Sequence, residues 1–512
     1  MNIGSLLPSH ARYRSEHTAV VFQDLRLNFH EFNARVNRAA NALLSLGVTK
    51  GDKVATILPN CLSLLETYWA VAKIGAVVVP LSPLLRERAL ATLIQDSDTG
   101  TIIASPEFAE PLVDIKHELP GIADGRYILT GTSRVQGFQN YHELTADAGE
   151  EEPDSIEIGG SDPYNIIYSS GTTGSPKGIV HTHYIRSVYC TMFASTFRMT
   201  PESVVLHSGS IVFNGAFVTL MPSMYLGATY VLHRSFDPRT FVEAVERERV
   251  THVMMVPSQV VALLGSPHFS SEALASLEMV CTVGAPLHLE HKRKLNRWLP
   301  DRCYELYGLT EGFITVLDKT HYMSKLSSVG PPQPFFDMRI LNEQGQSLPP
   351  GEIGEIIGRG PALMPGYYKR PDLTDQAIIK GWLHTGDLGY VDEEGFLYLV
   401  DRKKDMIITG GTNVFPKDIE EIIVQHPAVR EAAVFGIPSE KWGETPMAAV
   451  ILHQPADVTA ESLCDWINEH VDAKHQRIQA VVIMDTFPRS HAGKTLKRIL
   501  RDPYWAERDT KI

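Results

Sequence analysis

The chain has 512 residues, 47 of them basic and 60 acidic, for a formal net charge of -13. That length exceeds what one hydrophobic core supports and predicts two to four domains or subdomains. The acidic balance, with no basic run interleaved with aromatics, argues against a nucleic-acid surface.

Five cysteines (Cys61, Cys190, Cys281, Cys303, Cys464) lie scattered without metal-ligand spacing. Their odd number argues against a disulfide framework, so reduced thiols in a cytoplasmic protein are expected. The start, Met1 to Pro8, lacks the basic region and long apolar run of a signal peptide. The C-terminal residues Asp509 to Ile512 carry no peroxisomal or prenylation signal. The most apolar stretch, Tyr68 to Leu85, is interrupted by Lys73, Pro80 and Pro83. It reads as a buried helix followed by a strand and not as a transmembrane segment.

In chain order, Asn28 followed by Glu31 forms a capping-box start, and Phe32, Val36, Ala40, Leu43 and Leu44 continue at helical spacing until Gly47. Val54 to Leu58 reads as a strand, Leu62 to Ala72 as a helix, Ala76 to Val79 as a strand, Leu84 to Ile94 as a helix and Thr101 to Ala104 as a strand. This alternation predicts a parallel sheet wrapped by helices. The stretch from Gly131 to Ser161, with Glu150, Glu151 and Glu152 near its end, reads as a surface connection. The α/β rhythm resumes at Tyr230 to Leu232, Phe241 to Arg249, Val253 to Val256 and Leu289 to Trp298.

Beyond Pro332, closely spaced glycines and the run Phe396 to Val400 predict a small β-rich subdomain. Asp401 to Asp405 puts five charges between two apolar strands, and the remaining chain reads as a smaller unit of interleaved strands and helices. The expected domains are therefore 1–400 and 401–512.

Between the apolar pair Ile166-Ile167 and a helical pattern beginning near His183 lies Tyr168-Ser169-Ser170-Gly171-Thr172-Thr173-Gly174-Ser175-Pro176-Lys177-Gly178. It reads as a strand, a loop, then a helix. Glycines permit close backbone approach, hydroxyls and amides can donate to oxyanions, and Lys177 adds a cation, which is a phosphate-gripping composition. The P-loop pattern GxxxxGK[ST] cannot be laid over it in any register. The string resembles the signature loop of the AMP-forming acyl-adenylate synthetases, the superfamily of acyl-CoA synthetases, peptide-synthetase adenylation domains and firefly-type luciferases. Further motifs of that superfamily occur downstream in its order, so the resemblance covers nearly the whole chain.

The fold it implies is α/β: a large N-terminal domain of parallel α/β sheets with a small β-rich subdomain, then a small mobile α+β C-terminal domain. The loop residues Ser169, Ser170, Gly171, Thr172, Thr173, Gly174 and Lys177 would hold phosphates. In Tyr304-Glu305-Leu306-Tyr307-Gly308-Leu309-Thr310-Glu311, a carboxylate beside a hydroxyl suits Mg²⁺. By resemblance Glu311 is the magnesium ligand, Thr310 meets the α-phosphate, Tyr307 stacks on adenine, and Glu305 counts among the nucleotide-binding residues. Gly284, Ala285 and Pro286 would line the other adenine face. In His384-Thr385-Gly386-Asp387, Asp387 would accept from both ribose hydroxyls with Arg402 assisting, and Lys404 takes the hinge position. In Pro488 to Arg498, Lys494 becomes the catalytic lysine, bridging the attacking carboxylate and the α-phosphate. Gly410 and Gly411 resemble the turn lining the pantetheine tunnel, and Lys441-Trp442-Gly443-Glu444 a segment that meets the first domain after rotation.

The acid pocket is expected from His207, Val212, Phe213, Asn214, Phe217, Gly308 and Gly312. Apart from His207 the first segment holds no charge, which favours an uncharged aliphatic or aromatic acid over a dicarboxylate or an amino acid. Many members of the superfamily carry a histidine where this chain has Asn214. His181 and His183 stand at i, i+2 without an evident third ligand, so a structural role is expected.

The implied reaction is activation of a carboxylic acid by ATP, with Mg²⁺, to acyl-AMP and pyrophosphate, then transfer to the thiol of CoA. Because Lys494 and Gly411 would serve different steps from one small domain, that domain is expected to pivot near Lys404. Two readings within the superfamily stay open: loading of a carrier-protein thiol, and luciferase-like oxidation. From another class, the chain could be a nucleotide-binding regulator without turnover, against which Lys494, Glu311 and Asp387 argue. Partners are small molecules, with no nucleic acid and no transmembrane segment, and the chain is compatible with a monomer or a homodimer.

Overall fold

The capping box at Asn28 is present: its Oδ1 accepts from the amide of Glu31 at 2.8 Å while the Glu31 carboxylate accepts from the amide of Asn28 at 2.9 Å. Two orphan donors at the start of helix Phe29–Ser45 are thereby satisfied. The helix buries Phe32, Val36, Ala40 and Leu43, the periodic face read from the sequence. The computed structural model describes residues 1–132, 134–169, 177–453, 458–489 and 495–506.

Two largely parallel sheets form the N-terminal bulk. The first has seven strands in the order Gln139–Asn140, Tyr127–Leu129, Thr99–Ala104, Lys53–Ile57, Val77–Leu81, Pro163–Ser169 and Lys177–Thr182. The second has eight, in the order Ile314–Leu317, Cys303–Gly308, Met279–Val283, His252–Met255, Val204–His207, Thr229–Leu232, Thr18–Phe22 and Leu25–Asn28. Helices cover both sheets, and the largest core cluster draws Val54, Val78, Val205, Tyr230 and Leu232 from their facing sides together with Leu65, Trp69, Phe193 and Phe217 from helices. The apolar stretch from Tyr68 is the helix Leu62–Ile74 followed by the strand Val77–Leu81, buried from Ser63 on. Among the described residues no helix is long and apolar enough to cross a membrane.

A third, antiparallel sheet comprises Asp337–Leu341, Gly354–Arg359, Ile378–Ile379, Trp382–Val391 and Leu397–Arg402. The fourth contains Ile407–Thr409, Thr412–Val414, Val429–Ser439, Gly443–Leu452 and Val481–Ile483, with helices Pro416–Ile423 and Ala460–His470 over its own core. The chain thus leaves one sheet at Arg402 and enters the next at Ile407.

Two features depart from the sequence reading. The phosphate-loop stretch does not run from strand to helix: Lys177–Thr182 is a second strand, antiparallel to Pro163–Ser169 with Ser169 opposite Lys177. Its apolar run is only Ile179 and Val180, too short to separate from a helix start. The acidic run near residue 150 is also more than a surface connection. Glu152 pairs at 2.6 Å with Lys73, whose side chain is 3% exposed, and also accepts from Asn33. An ammonium so placed needs a counter-charge, which the connection supplies.

Candidate active site

The motif residues collect at the carboxyl ends of the parallel strands of the eight-stranded sheet, where open α/β sheets bind ligands. Met279–Val283 leads into Gly284, Ala285 and Pro286, and Gly284 has φ +94°. Cys303–Gly308 delivers Tyr307 and then Thr310 and Glu311. Gly312 comes next with φ +113°, and an added Cβ there would lie 2.0 Å from the carbonyl oxygen of Ala362. Only glycine lets the two segments meet so closely.

Asp387 reaches the same place from the antiparallel sheet. Glu355 pairs with Leu388 but Ile357 with His384, so Thr385, Gly386 and Asp387 bulge out of the ladder with Gly354–Arg359, while Asp387 stays paired with Arg402 on the other side. A bulge re-aims a side chain, and here it brings the Asp387 carboxylate to the Tyr307 hydroxyl, which donates at 2.7 Å. The Arg402 Nε lies 3.3 Å from the other carboxylate oxygen. Burial, then the charge of Asp387, hold the Tyr307 hydroxyl well above its ordinary pKa. This joins three residues from three stretches of sequence into one acceptor-donor cluster.

A second cluster stands at Glu311. Its Oε1 accepts from the Tyr367 hydroxyl at 2.9 Å, and its backbone carbonyl accepts from the amide of Met364. Lys177 places its ammonium 4.9 Å from the Tyr367 ring centre. Tyr367 was not singled out in the sequence. Its only signal is the run Pro365-Gly366-Tyr367-Tyr368, and its backbone bridges to Ile179 on the loop's outgoing strand. The Thr310 carbonyl accepts from His181 Nε2 at 2.8 Å, which fixes Nε2 as protonated and Nδ1 as acceptor. Burial, then the charge of Arg186, keep this imidazole neutral by holding its pKa well below the usual value. His183 meets a different partner: its Nδ1 accepts from the amide of Ile3 at 3.3 Å.

Glu305 is placed apart from these groups. Its carboxylate forms an ion pair with Lys292, both side chains being 4% exposed. Burial pushes its pKa up, with Lys292 acting in the opposite sense. In the segment expected to form the acid pocket, Val212 and Phe217 are buried, and Phe213 and Asn214 are half-buried beside them. His207 ends its strand with both ring nitrogens without partners among the described residues, and burial alone pushes its pKa down to about 4.

In the C-terminal unit, Gly410 and Gly411 form the two-residue turn between Ile407–Thr409 and Thr412–Val414, with φ +57° and +82°. Such a turn requires positive φ at both positions. The Gly410 amide donates to the Trp442 carbonyl at 2.8 Å, so the two segments expected to act in the second step are in contact. This unit meets the N-terminal bulk through helix Pro416–Ile423. Glu421 accepts from His288 Nδ1 at 3.1 Å and from the Leu289 amide at 3.3 Å, at the start of the helix that comes after the Gly284 turn. Lys417 donates through Nζ to the Leu399 carbonyl at 2.7 Å and through its amide to Asp401 at 3.2 Å. Lys404 is exposed in the segment joining the two sheets. Ser170, Gly171, Thr172, Thr173, Gly174 and Lys494 lie outside the described residues.

Family models match almost from end to end: an AMP-binding enzyme domain over residues 7–368 and an AMP-binding enzyme C-terminal domain over 418–494. The feruloyl-CoA synthase of an Amycolatopsis species is 34% identical over 98% of each chain. Among solved structures, ATP-bound MatB from Rhodopseudomonas palustris is similar with a TM-score of 0.87 at 28% identity, covering 98% of this chain and 99% of that one. The o-succinylbenzoate CoA synthetase MenE from Bacillus subtilis, in complex with the acyl-adenylate OSB-AMP, gives 0.85 at 29% identity over 99% of each. The chain belongs to the AMP-binding enzyme family.

Proposed function

We propose that this enzyme activates a carboxylic acid with ATP and passes the acyl group to the thiol of CoA. Its main support is the convergence of two clusters, Tyr307–Asp387–Arg402 and Glu311–Tyr367–Lys177, at one edge of the sheet. In this reading the first cluster orients the nucleoside and the second faces the phosphates. A carboxylate oxygen of the acid attacks the α-phosphorus, the bond to the β-phosphate oxygen breaks, and pyrophosphate leaves. The CoA sulfur then attacks the acyl carbon, AMP is expelled, and the thiol proton passes to solvent.

A single carboxylate beside a hydroxyl residue and a phosphate-binding loop fits Mg²⁺, which takes its remaining ligands from phosphate oxygens and water. Glu311 would hold it, with Tyr367 fixing the carboxylate, and the ion would offset phosphate charge. Lys494 is assigned to the α-phosphate, where a fixed cation acts on charge developing in the displacement. The division into 1–400 and 401–512, pivoting near Lys404, would let Lys494 serve the first step and Gly411 the second. The enzyme names of the relatives favour CoA over a carrier-protein thiol as acceptor.

The test is acid-dependent release of pyrophosphate and AMP from ATP, with and without CoA, over acids of graded length and aromaticity. Release in step with acyl-CoA supports the reading. Nucleotide binding without acid-dependent turnover refutes it.

A further inference from the structure

Arg186 lies outside every motif. It sits on helix His183–Thr196 and is wholly buried. Its Nε donates to Asn165 Oδ1 and its Nη1 to Asn214 Oδ1, both at 2.9 Å, while Nη2 faces His181 Nδ1 at 3.2 Å. The guanidinium carbon lies 4.1 Å from the Phe217 ring centre and 5.0 Å from that of Tyr189. All these partners are neutral, and no described carboxylate forms an ion pair with it. Burial pushes its pKa down to about 10, so it is still a cation at neutral pH. A buried charge without an opposite charge is strongly unfavourable.

The cation lies against the segment assigned to the acid pocket, bonded to Asn214 and stacked on Phe217. Arg186 fills one of the two lone pairs of Asn214 Oδ1, and its charge weakens the oxygen as an acceptor for other groups while strengthening the donor, Nδ2. That nitrogen carries two hydrogens, and one is directed to the Tyr189 hydroxyl at 3.2 Å. Asn214 is the polar position, half-buried at the start of helix Asn214–Leu226, in the segment assigned to the acid pocket, beside half-buried Phe213 and buried Val212 and Phe217. A saturated hydrocarbon tail against it would leave both the amide hydrogen and the charge behind it unanswered. An oxygen acceptor would answer both, and an anionic one most fully.

We propose that Asn214, oriented and polarised by Arg186, sets the specificity of the acid pocket, and that the acid has an apolar body carrying an oxygen acceptor on its tail. Carbonyl and carboxylate tails are the substrates of choice, which revises the wholly uncharged pocket expected from the sequence segment alone. The inference rests on the adenylation reading above.

The test uses the full-length enzyme and pyrophosphate release with two matched series. One is 3-phenylpropionate with its para-hydroxy, para-acetyl and para-carboxy analogues, and the other is octanoate with octanedioate. Sites built to bond an oxygen reject analogues lacking it by large factors, so kcat/KM for acceptor-bearing acids should exceed that of the parents by at least about tenfold. In Arg186→Met and Asn214→Leu this ratio should fall towards one with KM for ATP unchanged, and Arg186→Lys should restore part of it. Thermal melting checks that each variant folds, and Asn214→Leu stands alone if Arg186→Met does not.

Parent acids used as well as the others, or a preference that survives Asn214→Leu, overturns the proposal. So does a uniform slowing of all acids in the Arg186 variants, which would assign the cation to the reacting carboxylate instead. Failure of every acid to release pyrophosphate removes the adenylation reading, and this inference with it.

Discussion

The edge of the N-terminal bulk proposed to face the nucleotide and the contact made by the C-terminal unit are held by different kinds of interaction. At the edge, backbone is pressed against backbone at Gly312, and Asp387 and Glu311 each have fixed hydrogen-bond partners. The C-terminal unit is joined to it by partly exposed groups such as Glu421 and His288, whose side chains are 21% and 24% exposed. The first arrangement suits a mould whose groups do not reorganise during reaction. The second suits a dock that forms and breaks, as a pivoting domain requires. Substitutions at the edge should therefore cost stability or one whole chemical step, and substitutions at the dock should change the balance between steps.

The largest effect is expected at Gly312. Alanine there must place its Cβ against the Ala362 carbonyl at a backbone angle that L-residues avoid. Strain and overpacking together predict a loss on the order of 2–5 kcal/mol in denaturant unfolding, with both half-reactions impaired. Unchanged stability would show that the two segments can part. Lys494→Ala comes next: loss of one preorganised charge predicts a fall of about 10²–10³ in acyl-AMP formation. Thioester formation from supplied acyl-AMP should be spared, and equal loss of both steps would refute the two-orientation account. Tyr367→Phe removes the donor to Glu311 but keeps the ring beside Lys177. A hydrogen bond to a charged group is worth roughly 1.5–3 kcal/mol, so pyrophosphate release should fall by about tenfold or more with the second step intact.

These residues differ in how far the sequence exposes them, and the reason is range. The helix from Asn28 was legible because its cap, its periodicity and its end are all local. Asp387, Tyr307 and Glu311 were legible as motifs, but their meeting depends on the bulge at Thr385 to Asp387 and on the pairing of separate sheets. Arg186 and Tyr367 gave no local signal. An arginine inside a helix is ordinarily solvated, and its burial here depends on Asn165 and Asn214, respectively 21 and 28 residues away. The acidic run near Glu152 misled for the same reason, since its partner Lys73 is 79 residues distant.

The same contrast has a pH signature. Burial pushes the pKa of His207, His183 and His291 to about 4, all of them in the N-terminal bulk. Unfolding returns each to about 6.5, so between those values the unfolded chain binds more protons and stability is lost as pH falls. Each group contributes at most about 1.4 kcal/mol per pH unit. Asp401, beside the dock, behaves oppositely: burial pushes its pKa up to about 6 against the pull of Lys497. Its contribution is full below the ordinary carboxyl range and is lost as pH rises through 6. The more numerous lowered histidines, set against the raised carboxyls of Asp401, Glu305 and Asp418, predict a net fall in melting temperature from pH 7 to pH 5. The fall should be shallower in His207→Gln and steeper in Asp401→Asn.

The smallest effect should come from Glu421→Gln, which leaves an acceptor for the Leu289 amide but removes the charge facing His288. A partly exposed pair of this kind is worth up to about 1 kcal/mol and weakens with salt. Melting temperature should therefore hardly move. If docking of helix Pro416–Ile423 against the start of Leu289–Trp298 favours one of the two steps, the ratio of pyrophosphate release to thioester formation from supplied acyl-AMP should shift by less than about tenfold. Raising the ionic strength should produce a shift in the same direction in the unsubstituted enzyme. A ratio insensitive to both changes would mean that this contact persists through both steps, and that the dock is as fixed as the mould it faces.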